Sequence, residues 1–325
     1  GRWQRDHRGD AEAAQRRLHR ALALDGNRAD VMRDLAALER ATPGRPLYQT
    51  LRRLADAEGA DLEALREAAR LAQETLRDPE AAASTLTVLL GRATAAWRGT
   101  SPAPAGDAAG PEAIVRGCID GLVDLHLDAG RAAAAVDLLV DASRLPFDAA
   151  TRRAMRHRAA AIATADLRDN ATAIEMYRGV LAQAPDDVEA IQRLGALLST
   201  EGRVPELLSL RQHQLRLETD ATRRLSLRLE IANLVGHVED HGGRLEALRQ
   251  NLADSPGHEA SIEAMASLLT GKRQWGALLD VLEEQAARLE AMNELARSAR
   301  LSARVARVAE WVSAVQLDAI PAPSF

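Results

Sequence analysis

Two histidines four residues apart, His237 and His241, are the residues whose type and spacing best suit a metal ion in this sequence. On a helix this spacing places both imidazoles on one face, where Zn²⁺ takes nitrogen ligands. The zinc-protease motif needs a glutamate directly after the first histidine, whereas here Val238 intervenes and Glu239 follows. No third ligand is evident nearby, although His258 could approach in space. We predict no metal site, and a metal hydrolase stays an alternative that stoichiometric zinc in the purified protein would support.

Two further patterns could support catalysis or nucleotide binding. Cys118 and His126 are the residue types of a thiol–imidazole pair, but their spacing of eight residues puts them two helical turns apart. That separation is too large for direct proton transfer within one helix. Gly271 and Lys272 lack the upstream glycine and the following hydroxyl residue of a phosphate-binding loop. The sequence therefore predicts no catalytic residue and no cofactor, and we expect a protein that is not an enzyme.

Charge is nearly balanced along the chain. The sequence has 42 basic and 47 acidic residues, for a net charge of −5, which argues against a nucleic-acid partner. The densest basic cluster comprises Arg152, Arg153, Arg156, His157 and Arg158. A second cluster about 71 residues later comprises Arg223, Arg224 and Arg228. Such a stripe either follows an anionic partner or is a solvated helix face. A stripe of carboxylates at Asp120, Asp124 and Asp128 is predicted to face water.

Composition indicates a helical protein. Apolar residues make up 46% of the chain and aromatic residues only 2%, while the abundant Ala, Leu and Arg are strong helix formers. Cys118 is the single cysteine, so an internal disulfide is excluded. No signal peptide or membrane span is evident. Because the chain begins with Gly1 rather than Met, we expect an excerpt of a longer protein; the compartment stays open, with the cytoplasm favoured.

The elements that must position these residues repeat along the chain. One offset of 71 residues relates seven pairs of identical residues: Asp169 and Asp240, Leu181 and Leu252, Pro185 and Pro256, Ile191 and Ile262, Leu198 and Leu269, Leu207 and Leu278, and Gln214 and Gln285. Half of that offset, about 35 residues, is the length of one helix–turn–helix unit. A unit of this size buries its apolar face only against its neighbours.

The clearest unit shows how its residues are spaced. Ala173, Tyr177 and Val180 lie on one stripe of a predicted helix that Pro185 ends, and Asp186 with Glu189 predicts a capping box for the next helix. That next helix has the pattern Ile191-x2-Leu194-Gly195-x2-Leu198.

This pattern resembles the tetratricopeptide repeat (TPR) family, whose unit reads W-x2-L-G-x2-Y, then A-x3-F, then P. Ile and Leu replace the two aromatic residues of the first helix. The same spacing recurs at Ala14, Leu18 and Ala21, and weaker copies occur near Ala82 and Leu245. The resemblance implies an all-α fold, a TPR-like α-α superhelix of about eight helix pairs.

We predict sixteen helical segments, most of them in pairs. The paired segments are 28–41 with 45–57, 61–77 with 79–97, 112–129 with 131–143, 148–168 with 170–183, 187–201 with 204–218, 222–240 with 243–253, and 258–270 with 274–290. Single segments at 10–24 and 293–317 complete the set. Residues 98–110 are rich in Gly, Pro and Ala and are predicted to form a loop, a linker between sub-arrays or a site that orders on binding. The predicted domains are thus residues 1–97 and 111–319, with a tail at 320–325.

The resemblance also implies a binding surface, because the first helix of each TPR pair lines the concave face. The residues expected there are Met155, Arg158, Ile162, Glu189, Gln192, Ser199, Ser226, Asn233, Glu263 and Ser267. A mixture of this kind suits an extended peptide or a partner helix. We therefore expect a non-catalytic scaffold that binds a peptide or protein. The alternatives are a regulatory or substrate-docking region of a larger enzyme and an RNA-binding helical-repeat protein; the oligomeric state is left open.

Overall fold

The fold is known from a computed structural model, which describes residues 11–58, 61–99, 110–237 and 241–315. All regular structure in these ranges is helical. The described chain divides into two compact units, residues 1–183 and 184–325, which we call unit 1 and unit 2. Of the predicted loop 98–110, residues 98 and 99 belong instead to the helix Pro79–Gly99, and residues 100–109 lie outside the described ranges. The domain division predicted there stays a prediction.

Within the described residues, unit 1 has nine α-helices, each packed against the helices next to it along the chain. They are α1 (Ala11–Leu24), α2 (Ala29–Glu39), α3 (Arg45–Glu58), α4 (Leu62–Glu74), α5 (Pro79–Gly99), α6 (Pro111–Asp128), α7 (Ala132–Ala142), α8 (Ala149–Ile162) and α9 (Asn170–Leu181). The buried stripes combine alanines with larger branched residues. In α4, for example, Leu65, Ala68, Ala69 and Ala72 are buried together. Alanine at these positions lets neighbouring helices approach closely while leucine fills the space between them.

Unit 2 continues the same construction with seven described helices, again packed in chain order. They are α10 (Val188–Thr200), α11 (Val204–Leu217), α12 (Ala221–His237), α13 (His241–Asp254), α14 (Glu259–Gly271), α15 (Trp275–Ala291) and α16 (Leu295–Val315). Its main core joins α12 to α16 around Leu248, Met265, Leu282 and Val308. The prediction of an all-α array of helical hairpins is therefore confirmed.

Several helix boundaries coincide with residues that have a positive φ. Gly130 and Gly202 follow the predicted segments 112–129 and 187–201, and both have a positive φ, of +67° and +66°, just after a helix. Within the described ranges, two segments depart from their predicted α-helical ends by more than two residues. The segment 61–77 stops being α-helical at Glu74, and 148–168 changes at Ala163 into a π-helix that reaches Leu167. Arg168 then ends that segment with a φ of +54°.

One predicted helix cap was assigned to the wrong residue. The capping box starting at Asp186 is absent; Asp187 is the N-cap of α10, and its carboxylate accepts the Ala190 N–H at 2.9 Å. The helix thus begins one residue later than the capping box required. Asp61, Asp148 and Asp169 cap three other helices with the same three-residue reach.

Candidate partner-binding surface

The first helices of the hairpins in unit 2 are α10, α12 and α14, and their outward side chains form the candidate surface. All seven residues predicted there in unit 2 are exposed: Glu189, Gln192, Ser199, Ser226, Asn233, Glu263 and Ser267. Helical periodicity explains why. On α10, Ala190, Ile191, Leu194 and Leu198 are buried, so residues on the opposite side of the helix turn outward.

The three residues predicted in unit 1 behave differently. Met155 and Ile162 are each only 7% exposed and pack in the core of that unit. Arg158 is half-buried, and its two terminal nitrogens donate to Asp120 at 3.0 Å and to Asp124 at 2.6 Å. Both carboxylates are exposed, as predicted, and they also join α6 to α8 through Arg158. The exposed part of the predicted surface therefore lies in unit 2.

The basic cluster around Arg152 is also engaged within its own unit. Arg156 donates to the carbonyl oxygen of Gly179 at 2.7 Å, and burial together with the neighbouring Arg152 lowers the pKa of Arg156. The His157 ring lies against Tyr177 with the ring centroids 5.7 Å apart. One arginine of the later cluster, Arg228, is buried and pairs with Asp254. Both clusters therefore help to pack their helices together.

Among the predicted surface residues, Glu263 takes part in a contact between two helices. It forms a two-point ion pair with Arg304 of α16, with Nη2 of Arg304 3.1 Å from Oε2 of Glu263. Glu189 is paired along its own helix with Arg193 at 3.9 Å. The Ser226 hydroxyl donates to the carbonyl oxygen of Thr222 at 3.2 Å. At α14 the candidate surface therefore borders a further helix, α16, through the ion pair between Glu263 and Arg304.

A pocket of about 670 Å³ opens between α14 and α16. Its lining combines apolar and charged side chains, among them Ile262, Glu263, Leu289, Leu301, Arg304 and Arg307. The volume lies within the range of ordinary ligand sites. This pocket was not predicted from the sequence, which indicated only a last helix at 293–317. The signal was present in the spacing of Arg297, Arg300, Arg304 and Arg307, which lie three, four and three residues apart on one side of a helix.

One wall of the pocket is a tightly held turn before α14. The Gly257 N–H donates to Oε1 of the buried Gln285 at 3.0 Å, and Arg297 donates to the Gly257 carbonyl oxygen at 2.8 Å. The equivalent turn before α10 is held in a related way, because His213 of α11 contacts the carbonyl oxygen of Pro185 at 2.7 Å. Each turn is thereby fixed by a later helix of its unit, which keeps the pocket wall in place.

The residues considered for catalysis have different environments. Cys118 is 2% exposed, and burial raises the pKa of its thiol to about 12, so the reactive thiolate is scarce near neutral pH. Burial and the charge of Arg131 lower the pKa of His126. The side chains of His237 and His241 lie outside the described part of the chain. Within that part, no group of three or more His, Cys, Asp and Glu side chains is placed to hold a metal ion.

None of the helices in the described ranges combines the length and the apolar character needed to cross a bilayer.

No protein-family model and no curated protein matches the sequence. Solved structures with similar folds include YrrB, described as a TPR protein with an unusual peptide-binding site, at 14% identity and a TM-score of 0.32, over 66% of this chain and 97% of that one. Naa15/Naa10 bound to HypK-THB matches at 14% identity and a TM-score of 0.37, over 94% and 44% of the two chains. The P58(IPK) TPR domain matches at 14% and 0.27, over 93% and 85%. The residues repeated at the 71-residue offset and the successive hairpins of the described ranges are those of an α-helical repeat array.

Proposed function

We propose that this chain is a non-catalytic scaffold that binds a peptide or a partner protein along the first helices of the hairpins in unit 2. The observation that carries the proposal is a row of exposed polar side chains that the fold does not use. The side chains of Gln192, Ser199, Asn233 and Ser267 make no hydrogen bond to another residue of the described chain. Amide and hydroxyl groups of this kind can bond to a peptide backbone in either direction, because they include both donors and acceptors.

The same surface argues for a protein partner over RNA. Glu189 and Glu263 lie among the polar residues, and their carboxylates repel a phosphate backbone. A substrate-docking region of a larger enzyme would use the surface in the same way. A catalytic domain elsewhere in the full-length protein would distinguish that case.

Site-specific photo-crosslinking tests the proposal. A benzophenone side chain is introduced separately at Gln192 of α10 and Asn233 of α12, with Gln212 of α11 and Gln250 of α13 as matched controls. All four residues are exposed, but the controls lie on second helices of the hairpins. We expect both first-helix positions to give adducts with the same protein in cells, and the controls to give none. Equal labelling from all four positions, or no adduct from either first-helix position, would contradict the proposal.

A further inference from the structure

The pocket between α14 and α16 carries more positive charge than its surroundings neutralise. Four arginines of α16 line it, at positions 297, 300, 304 and 307, against two glutamates of α14, Glu259 and Glu263. At 3.6 residues per turn, these arginines span roughly 80° of the helix circumference. They therefore form one stripe along the edge of the buried face of α16, where they line the pocket.

Two of the four arginines are bonded to other residues of the described chain and two are not. Arg297 is bonded to Glu294 and to the Gly257 carbonyl oxygen, and Arg304 is bonded to Glu263. Arg300 and Arg307 are exposed and have no partner in the described part of the chain. Each therefore presents an unpaired guanidinium with planar donors that suit a carboxylate.

The floor of the pocket is apolar. Ile262 of α14 and Leu289 of α15 are buried, and Leu301 of α16 is half-buried between the arginines. A ligand that fits must therefore combine negative charge with an apolar group. Nucleic acid fits less well, because aromatic side chains for stacking bases are absent from the described lining and Glu259 and Glu263 lie at the same site.

We propose that this pocket binds an extended acidic peptide through Arg300 and Arg307, with an apolar side chain of the peptide against Ile262 and Leu301. This inference rests on the proposed function and specifies the chemistry of the partner. Arg300 and Arg307 lie seven residues apart, which is about 10 Å along the helix axis. In a polyproline II peptide, residues i and i+3 lie on the same side about 9 Å apart. The peptide is therefore expected to carry two acidic residues with two residues between them.

Fluorescence anisotropy with the full chain tests this spacing. The probe is a fluorescein-labelled octapeptide that contains Glu-Pro-Leu-Glu, and the comparison peptides contain Gln-Pro-Leu-Gln and, with the same charge, Glu-Glu-Pro-Leu. We expect the first peptide to bind, binding to weaken as salt is raised, and both comparison peptides to bind at least about fivefold more weakly. Equal affinity for the glutamine peptide would show that the arginines do not recognise carboxylates. Equal affinity for the adjacent-glutamate peptide would overturn the predicted spacing.

A matched pair of protein variants locates the binding. The double change Arg300→Gln, Arg307→Gln removes both unpaired guanidinium groups. The control, Arg216→Gln, Arg249→Gln, removes the same charge from exposed positions of unit 2 outside the pocket. The first is expected to weaken binding of the Glu-Pro-Leu-Glu peptide roughly tenfold and the control less than about twofold. Equal losses in both variants would reduce the effect to overall charge and overturn the proposal.

The outcomes separate this inference from the proposed function. Tight binding of a labelled single-stranded RNA that is lost in the Arg300, Arg307 variant would replace the acidic peptide by RNA. Crosslinks from Gln192 and Asn233 without any binding of the acidic peptide would leave the scaffold standing and refute the pocket assignment. Peptide binding at the pocket without those crosslinks would keep the pocket assignment and refute partner binding at Gln192 and Asn233.

Discussion

Gly257 has a backbone conformation that other residues adopt only with strain, since its φ is +72°. A Cβ atom added there would lie 2.7 Å from Cδ1 of Leu289, which is itself buried. We therefore expect Gly257→Ala to lower the free energy of unfolding by about 2–3 kcal/mol, from backbone strain and overpacking together. Urea titration followed by circular dichroism measures this loss.

Gly276 provides the control for Gly257. It lies in the first turn of α15, where a Cβ would meet no atom within 4 Å. Alanine is the better helix former, so Gly276→Ala is expected to be neutral or slightly stabilising. Similar losses in both variants would mean that the turn before α14 does not depend on glycine.

Cys118 gives a prediction about pH. Folding raises the pKa of this thiol from 9.0 to about 12 because the folded chain buries it. As the pH rises through 9, the unfolded chain ionises the thiol while the folded chain keeps its proton, so the unfolded state is favoured. The contribution of Cys118 to stability is thus full below pH 9 and is lost between about pH 9 and 12.

Two measurements check this prediction at Cys118, the single thiol of the chain. The loss of stability above pH 9 should be smaller in Cys118→Ala than in the wild type. A disulfide reagent such as DTNB at pH 8 should react with the unfolded protein at once and with the folded protein only slowly. Rapid reaction of the native thiol would show that the site is open to solvent and its pKa unshifted.

Whether a given residue of a first helix is buried or exposed was hard to predict from the sequence. Met155, Ile162, Gln192 and Asn233 were all assigned to one surface by the TPR resemblance. The structure buries the first two and exposes the last two, although all four lie on first helices. A helix between two neighbours has more than one buried side, so its apolar periodicity does not separate the core from the groove.

At the scale of the helix, the N-cap of α10 distinguishes two adjacent aspartates. Asp187 accepts the Ala190 N–H, whereas Asp186 is exposed and does not cap the helix. We expect Asp187→Ala to destabilise the start of α10 by about 1 kcal/mol. Amide hydrogen exchange in the first turn should become roughly fivefold faster. Asp186→Ala should leave it nearly unchanged, and the opposite order would restore the predicted capping box.

Helices themselves were predictable because their signals are local. All sixteen segments correspond to observed helices, since proline, glycine and aspartate mark ends within a few residues of sequence. The contacts between helices were not predictable in this way. The Arg158 bonds to Asp120 and Asp124 and the Arg304 pair with Glu263 join residues 34 to 41 positions apart. Many arginines could make such bonds, and only the packed helices select which ones do.

At the scale of the whole molecule, stability comes from several local cores. One cluster of buried residues joins α1 to α6 around Leu51 and Leu65, and another joins α12 to α16 around Leu248 and Leu282. In a repeat array each hairpin is stabilised mainly by its neighbours, so the loss of one contact should affect nearby helices most. A single globular core would instead spread the loss over the entire chain.

Two core substitutions test this organisation directly. Leu65 and Leu282 are both 0% exposed, and truncating either to alanine should cost about 2–5 kcal/mol. In hydrogen exchange followed by mass spectrometry, Leu65→Ala should accelerate exchange in α3 to α6 and leave α14 to α16 at the wild-type rate. Leu282→Ala should have the reverse pattern. Uniform acceleration along the chain in either variant would show one cooperative core, because only long-range packing could carry the loss from one cluster to the other.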